Sequence, residues 1–135
     1  MIIDTSALIS VLEEQVDAAR IGELLGFYGG QVSAGTLLEA RIVTQRRRGS
    51  AGLRRLEELL RRSRIEVVAF DIEQADIASD AYRDFGKGSG HPAGLNFGDC
   101  FSYALANERD EPLLYVGDDF GRTDIRSALE EYADD

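Results

Sequence analysis

Asp4, Glu39, Asp99 and the pair Asp118-Asp119 come from four separated parts of the chain, each just after an apolar run or in the first turn of a helix-forming stretch. Carboxylates brought together repel one another unless they take up protons, pair with bases or share a cation. A donor set made only of oxygen, with no His or Cys in it, suits a hard ion such as Mg²⁺ or Mn²⁺. Such ions keep several waters and accept phosphate oxygens as their remaining ligands. An ion held this way activates water for in-line attack on phosphorus and stabilises the leaving oxygen. Hydrolysis of a phosphodiester is therefore the chemistry these residues would support, provided the fold brings them to one cavity.

Each acid also has a local explanation. Thr36-x-x-Glu39 and Asn96-x-x-Asp99 have the spacing of a capping box, in which the acid folds back onto a backbone N–H at the helix start. Asp118-Asp119 fits a turn and cap, and the helix dipole alone favours acids at N-termini. Spacing by itself leaves both explanations standing.

The elements that must position these side chains follow from the apolar pattern. The opening apolar run stops at Asp4-Thr5-Ser6, all good N-cap residues, and Ala7, Leu8, Val11 and Leu12 then recur at helical spacing. A second helix is predicted over 16–28, stopped by Gly29-Gly30, followed by a short strand over 31–33. Leu37, Leu38, Ile42 and Val43 predict a helix over 36–47, and Gly49 separates it from another over 51–63, the two forming a helical hairpin. Residues 65–70 read as a strand, 71–85 as a helix capped by Asp71, and 86–94 as a glycine-rich loop. Asn96 opens a helix through 107, 113–116 form a last strand, and helix recurs intermittently over 120–132. Strands separated by helices predict an α/β fold, a mostly parallel central sheet flanked by helices, in one domain over 1–135. In such sheets ligands bind beyond the carboxyl ends of the strands, which is where the acidic positions fall.

Composition narrows the classes further. A chain of 135 residues, 44% hydrophobic and 30% charged, buries roughly two-thirds of its unfolded surface and needs no disulfide staples. Cys100 has no partner for an internal disulfide, and one Cys with one His, His91, cannot build a Cys/His zinc cage. No apolar run approaches the roughly 18–20 residues of a membrane span, and the N-terminus lacks a signal-peptide pattern, so a soluble, cytoplasmic protein is expected. The formal charge of -10 has the wrong sign for coating nucleic acid by bulk electrostatics, so any such contact must use local positive charge.

Four blocks together resemble a known family: Met-Ile-Ile-Asp4-Thr5-Ser6-Ala7-Leu8, Glu39 on the third predicted helix, Gly94-Leu95-Asn96-Phe97-Gly98-Asp99-Cys100-Phe101-Ser102-Tyr103-Ala104-Leu105-Ala106, and Leu113-Leu114-Tyr115-Val116-Gly117-Asp118-Asp119-Phe120. Their order and intervals are similar to those of PIN-domain ribonucleases, particularly VapC-type toxins, over nearly the whole chain. The resemblance implies a PIN-like fold and a Mg²⁺- or Mn²⁺-dependent endoribonuclease that cleaves RNA and is neutralised by a cognate VapB-like antitoxin. It further implies a homodimer and a toxin–antitoxin hetero-oligomer. By motif position Asp4 and Asp99 are the principal metal ligands, Glu39 completes the shell or orients water, and Asp118 or Asp119 supplies the fourth carboxylate. Ser6 supports the metal shell through its hydroxyl or, alternatively, N-caps the first helix.

Residues 41–64 hold nine Arg against two Glu, a local charge of +7. This segment can contact RNA phosphates, receive an acidic antitoxin segment, or present a solvated face that complements helix dipoles. The glycine loop is no Walker A motif, since Ala81 stands where its first Gly belongs and Gly88 follows Lys87. Phe97, Phe101 and Tyr103 are assigned to apolar core, with base stacking as the other use of an exposed ring. Two rivals share the acids: a receiver-like Mg²⁺-binding signalling domain, weakened because the single Lys lies in the loop, and a non-catalytic regulatory binding module. An Asp-x-Asp phosphatase is disfavoured by Ser6.

Overall fold

Every strand hands its chain over at the same edge of one parallel sheet, and that edge is where the acids gather. The computed structural model describes residues 1–133. Strands β1 (Ile2–Ile3), β2 (Gly30–Ser33), β3 (Ile65–Val68) and β4 (Leu113–Leu114) are all parallel, in the order β3-β2-β1-β4. In β1, Ile2 lies opposite both Gln31 and Leu113, and Ile3 lies opposite Leu114. The helices are α1 (Thr5–Leu12), α2 (Ala18–Tyr28), α3 (Ala34–Arg62), α4 (Ile72–Phe85), α5 (Phe97–Arg109) and α6 (Ala128–Glu131), with a 3-10 turn at Phe120–Arg122.

Strands β1 and β4 are short and apolar throughout because both faces of the sheet are covered there. Successive side chains point to opposite faces. Ile3 and Leu114 pack with α1, α2 and α3, whereas Ile2 and Leu113 pack on the other side with Ala81 of α4 and Tyr103 and Leu105 of α5. All four strand residues are fully buried. Each such side chain contributes roughly 1.5–3 kcal/mol, and Ile3→Ala would cost about 2–5 kcal/mol through the cavity it leaves.

The predicted helical pair forms a hairpin within α3. Gly49 has φ 62° and ψ -155°, a left-handed conformation that glycine adopts cheaply, and helix runs on either side of it. Arg41 Nε reaches Glu57 Oε1 at 2.8 Å although 16 residues intervene. An unbroken helix would hold them about 24 Å apart, so the chain doubles back. α3 starts earlier than the apolar pattern predicts. Ser33, at the end of β2, accepts from Gly35 N at 3.2 Å and so caps the helix, which leaves Thr36 buried inside its first turn.

Other boundaries shift by a few residues. β3 stops at Val68, and the ring of Phe70 instead meets Phe101 edge-on at 4.7 Å. β4 keeps only Leu113 and Leu114 of the predicted 113–116. The glycine loop follows a helix and is clamped at its base by Lys87 N donating to Leu95 O and Leu95 N donating to Phe85 O, so it lacks the strand-to-helix setting of a phosphate loop. His91 has a local role there, accepting from Ala93 N at 3.0 Å and packing edge-on against Phe85. Tyr103 is core as expected, but Phe97 is 77% exposed. The one-domain expectation over 1–135 includes Asp134 and Asp135, which lie outside the described residues.

Candidate active site

Asp4 leaves β1 at the centre of the sheet, where the parallel neighbours β2 and β4 also end. It N-caps α1: Oδ2 accepts from Ser6 N at 3.0 Å and from the Ser6 hydroxyl at 2.6 Å, while Oδ1 accepts from the Ser102 hydroxyl at 2.6 Å. The carboxylate is 4% exposed, so its direction is set by these three donors. Ser6 is not the N-cap. Its oxygen also accepts from Val116 N at 3.0 Å, tying the segment after β4 to Asp4. Ser102 is wholly buried and lies within 3.1 Å of the Thr36 hydroxyl, so α3 and α5 share one hydroxyl network beneath the carboxylate.

Glu39 makes no capping box. Its Oε1 accepts from the Thr5 hydroxyl at 2.5 Å, because Ser33 has taken the cap and Thr36 faces Ser102. Burial raises its pKa above the ordinary value; the Thr5 hydrogen bond works against this and the charge of Asp4 adds to it. Asp99 does make the capping box, its Oδ2 accepting from Asn96 N at 3.0 Å while Asn96 Oδ1 accepts from Asp99 N at 2.9 Å. Capping and membership of the acidic group thus coexist in one side chain. Burial pushes Asp99 up to about 7, against the lowering effect of the Asn96 backbone bond, and the charges of Asp4, Asp119 and Glu39 raise it further.

Asp4, Thr5, Ser6, Glu39 and Asp99 line one open cleft of about 360 Å³, with Arg47 on its wall. The two members of the acidic pair differ in the groups their charges act on. The charge of Asp119 acts on Asp99, whereas that of Asp118 acts on the phenol of Tyr115. Asp119 is solvent-exposed at the start of the 3-10 turn, its backbone oriented by the buried Phe120 that follows. The ligand oxygens of Asp4, Glu39 and Asp99 do not all come within 4.8 Å of one another. That spread fits a hydrated hard cation, which is held through one or two carboxylates and keeps waters in its remaining positions. The donor chemistry fits as well: Glu39 and Asp99 are crowded acids with raised pKa values and, among the described residues, no ion pair to either, a situation a cation relieves.

Two contributors escaped sequence reasoning, and a third was visible only as one of the arginines of residues 41–64. Ser102 stands three residues after Asp99, one helical turn along the same face, and that spacing was the available signal. Thr5 could not be told from an ordinary first-turn residue. Arg47 is singled out among the nine Arg of residues 41–64 by Glu13 Oε1, which holds it at 3.0 Å beside the cleft. Arg41 is turned away onto Glu57.

A family profile for the PIN domain matches residues 1–126. Ribonuclease VapC28 of Mycobacterium tuberculosis is 47% identical over 131 residues, covering 96% of this chain and 98% of that protein. Ribonuclease VapC42 of Mycobacterium tuberculosis is 45% identical over 129 residues, covering 95% and 98%. Among solved structures, Mycobacterium tuberculosis VapC20, a sarcin-ricin loop cleaving toxin, matches with a TM-score of 0.71 at 15% identity, covering 92% of this chain and 95% of that one. VapBC2 from Rickettsia felis, bound to a DNA fragment from its promoter, matches with a TM-score of 0.72 at 15% identity, covering 93% and 94%. At that identity the two structures bear on the fold alone.

Proposed function

The chain belongs to the PIN-domain family, and from that premise we propose that it is a Mg²⁺- or Mn²⁺-dependent endoribonuclease, the toxin of a pair neutralised by a VapB-like antitoxin. One observation carries the reading. Carboxylates from the ends of β1 and the starts of α3 and α5 open into a single cleft, and the charge of Asp119, from beyond β4, reaches Asp99. An α/β sheet of this kind places its chemistry at that edge.

Asp4 and Asp99 are the principal ligands in this reading, Glu39 completes the group, and Asp119 serves as the fourth acid in preference to Asp118. A divalent ion held there supplies Lewis acidity toward the phosphate and the attacking water. Asp4 is presented in one direction by Ser6 and Ser102, which avoids reorganisation when ligands arrive. Thr5 fixes Glu39 in the same way. Burial favours a proton on Asp99 up to about pH 7, and a bound divalent ion would compete with that proton. Arg47 supplies positive charge at the wall, so an RNA phosphate can approach a cleft otherwise lined by acids. A homodimer and an antitoxin-bound hetero-oligomer are part of the same proposal. No helix among the described residues is long and apolar enough to cross a membrane.

Incubation with structured and single-stranded RNA, in Mg²⁺, Mn²⁺ or EDTA, tests the activity. Internal cleavage should require the divalent ion and be lost in Asp4→Asn and Asp99→Asn, both still folded by circular dichroism. Native cleavage rates in both variants would sink the site assignment. Copurification with the product of an adjacent small gene tests the antitoxin separately.

A further inference from the structure

Where α3 meets α5, each helix omits a side chain beneath the other. A Cβ placed on Gly35 would lie 2.6 Å from Phe101 Cε1, and one placed on Gly98 would lie 2.5 Å from Glu39 Cδ and closer still to Oε2. Both approaches are inside the 3.0 Å that real Cβ atoms respect. Gly35 and Glu39 are four residues apart on α3, and Gly98 and Phe101 are three apart on α5, so each pair shares a helix face. The contacts are thus reciprocal: Phe101 of α5 fills the notch at Gly35, and Glu39 of α3 fills the notch at Gly98.

Neither glycine is among those with positive φ, so backbone conformation does not require them. Glycine is also disfavoured relative to alanine within a helix. Space is the remaining reason for both. The two spaces hold different things: an aromatic ring in one and a site carboxylate in the other.

We propose that Gly98 is a positioning residue for the reaction, its missing Cβ forming the socket that seats the Glu39 carboxylate beside Asp4 and Asp99. The Thr5 hydroxyl holds one oxygen of that carboxylate while the α5 backbone at position 98 limits how far it can swing. Any side chain at 98 pushes Glu39 out of the group while Asp4, held by Ser6 and Ser102, stays where it is. The inference rests on the reading of Glu39 as a member of the metal-binding group.

The test compares Gly98→Ala, Glu39→Asp, the double variant and Glu39→Gln. The readouts are calorimetric Mn²⁺ affinity, kcat and KM for RNA cleavage, and melting temperature. Gly98→Ala should lose on the order of tenfold in Mn²⁺ affinity and on the order of 100-fold in kcat, with KM for RNA within about twofold, as displacing a catalytic group by about 1 Å does. Glu39→Asp should lower Mn²⁺ affinity in the native background and raise it in the Gly98→Ala background, because the shorter side chain clears the added methyl. Independent, multiplying losses in the double variant would overturn the socket. So would native Mn²⁺ affinity in Gly98→Ala. Should Gly98→Ala unfold, adding Glu39→Ala must restore the melting temperature, and failure to do so also overturns the proposal. If Glu39→Gln leaves Mn²⁺ binding and cleavage intact, the reading of Glu39 itself is wrong. If Glu39→Gln is inactive while Gly98→Ala is native, only the socket is wrong.

Discussion

Two groups of acids lie at opposite ends of α5 and respond to the fold in different ways. At its C-terminal end, Asp71, Glu73 and Glu108 bring ligand oxygens within 4.8 Å of one another, closer than Asp4, Glu39 and Asp99 manage at its N-terminal end. By proximity alone the group at the C-terminal end would be chosen. Asp71 and Glu73 are exposed and occupy the start of α4, where Asp71 accepts from Gln74 N at 2.9 Å and the dipole favours negative charge. Glu108 is met by Gln74 Nε2 at 3.3 Å. The other group is drawn from distant segments into a cleft, oriented by Ser6, Ser102 and Thr5, and pushed up in pKa at Glu39 and Asp99. Orientation and desolvation, more than closeness, separate a candidate reaction centre from a capped helix start.

The sharpest way to break that contrast is charge removal at each end. Asp4→Asn or Asp99→Asn should lower RNA cleavage by about 1,000-fold or more, the scale on which loss of a preorganised electrostatic group falls. Asp71→Asn and Glu108→Gln should leave it within about twofold. Comparable losses at the two ends would erase the distinction.

Ser102→Ala probes orientation without touching charge. Loss of its bond to Asp4 Oδ1 should reduce metal affinity or kcat by about 10–100-fold, as removal of an outer-shell partner does, with a stability cost of about 1 kcal/mol. Unchanged calorimetric Mn²⁺ affinity together with native turnover would mean that Asp4 needs no such support.

The pH response comes next in size. Asp99 holds its proton up to about 7 in the folded, cation-free protein, whereas an unfolded aspartate releases it near 4. The folded state binds the extra proton across that window, so stability without metal should fall as pH rises from about 4 to about 7 and level off above it. Divalent ions compete with the same proton, so Mn²⁺ affinity should rise over this range by up to about tenfold per pH unit and flatten near 7. Titration calorimetry in buffers of different ionisation enthalpy would detect the released proton, and Asp99→Asn should abolish the dependence.

The smallest effect belongs to the capping end. Asp71→Ala should lower stability by about 1 kcal/mol through the lost N-cap, seen as a melting point lower by a few degrees, with cleavage unaltered. A change in cleavage there would show that α4 communicates with the cleft.

Apolar runs and breakers were enough to place the α/β alternation, the parallel sheet and the hairpin at Gly49, because burial on both faces and a left-handed glycine leave marks in the linear pattern. The acidic positions were equally visible, since strand ends and helix starts are local features. Thr36-x-x-Glu39 misled as a capping box because Ser33, at the end of β2, caps α3 three residues before Thr36. That choice belongs to the strand register and frees Glu39 to face Thr5. Likewise Ser102 meets Asp4 across 98 residues of chain, and Asp119 rather than Asp118 bears on Asp99. Residue types and their periodicity thus determined which elements form and which carboxylates were available. Only the packing of α1, α3 and α5 over the sheet decided which hydroxyls orient them and which glycine makes room, because those contacts depend on helix crossings that no short stretch of sequence encodes.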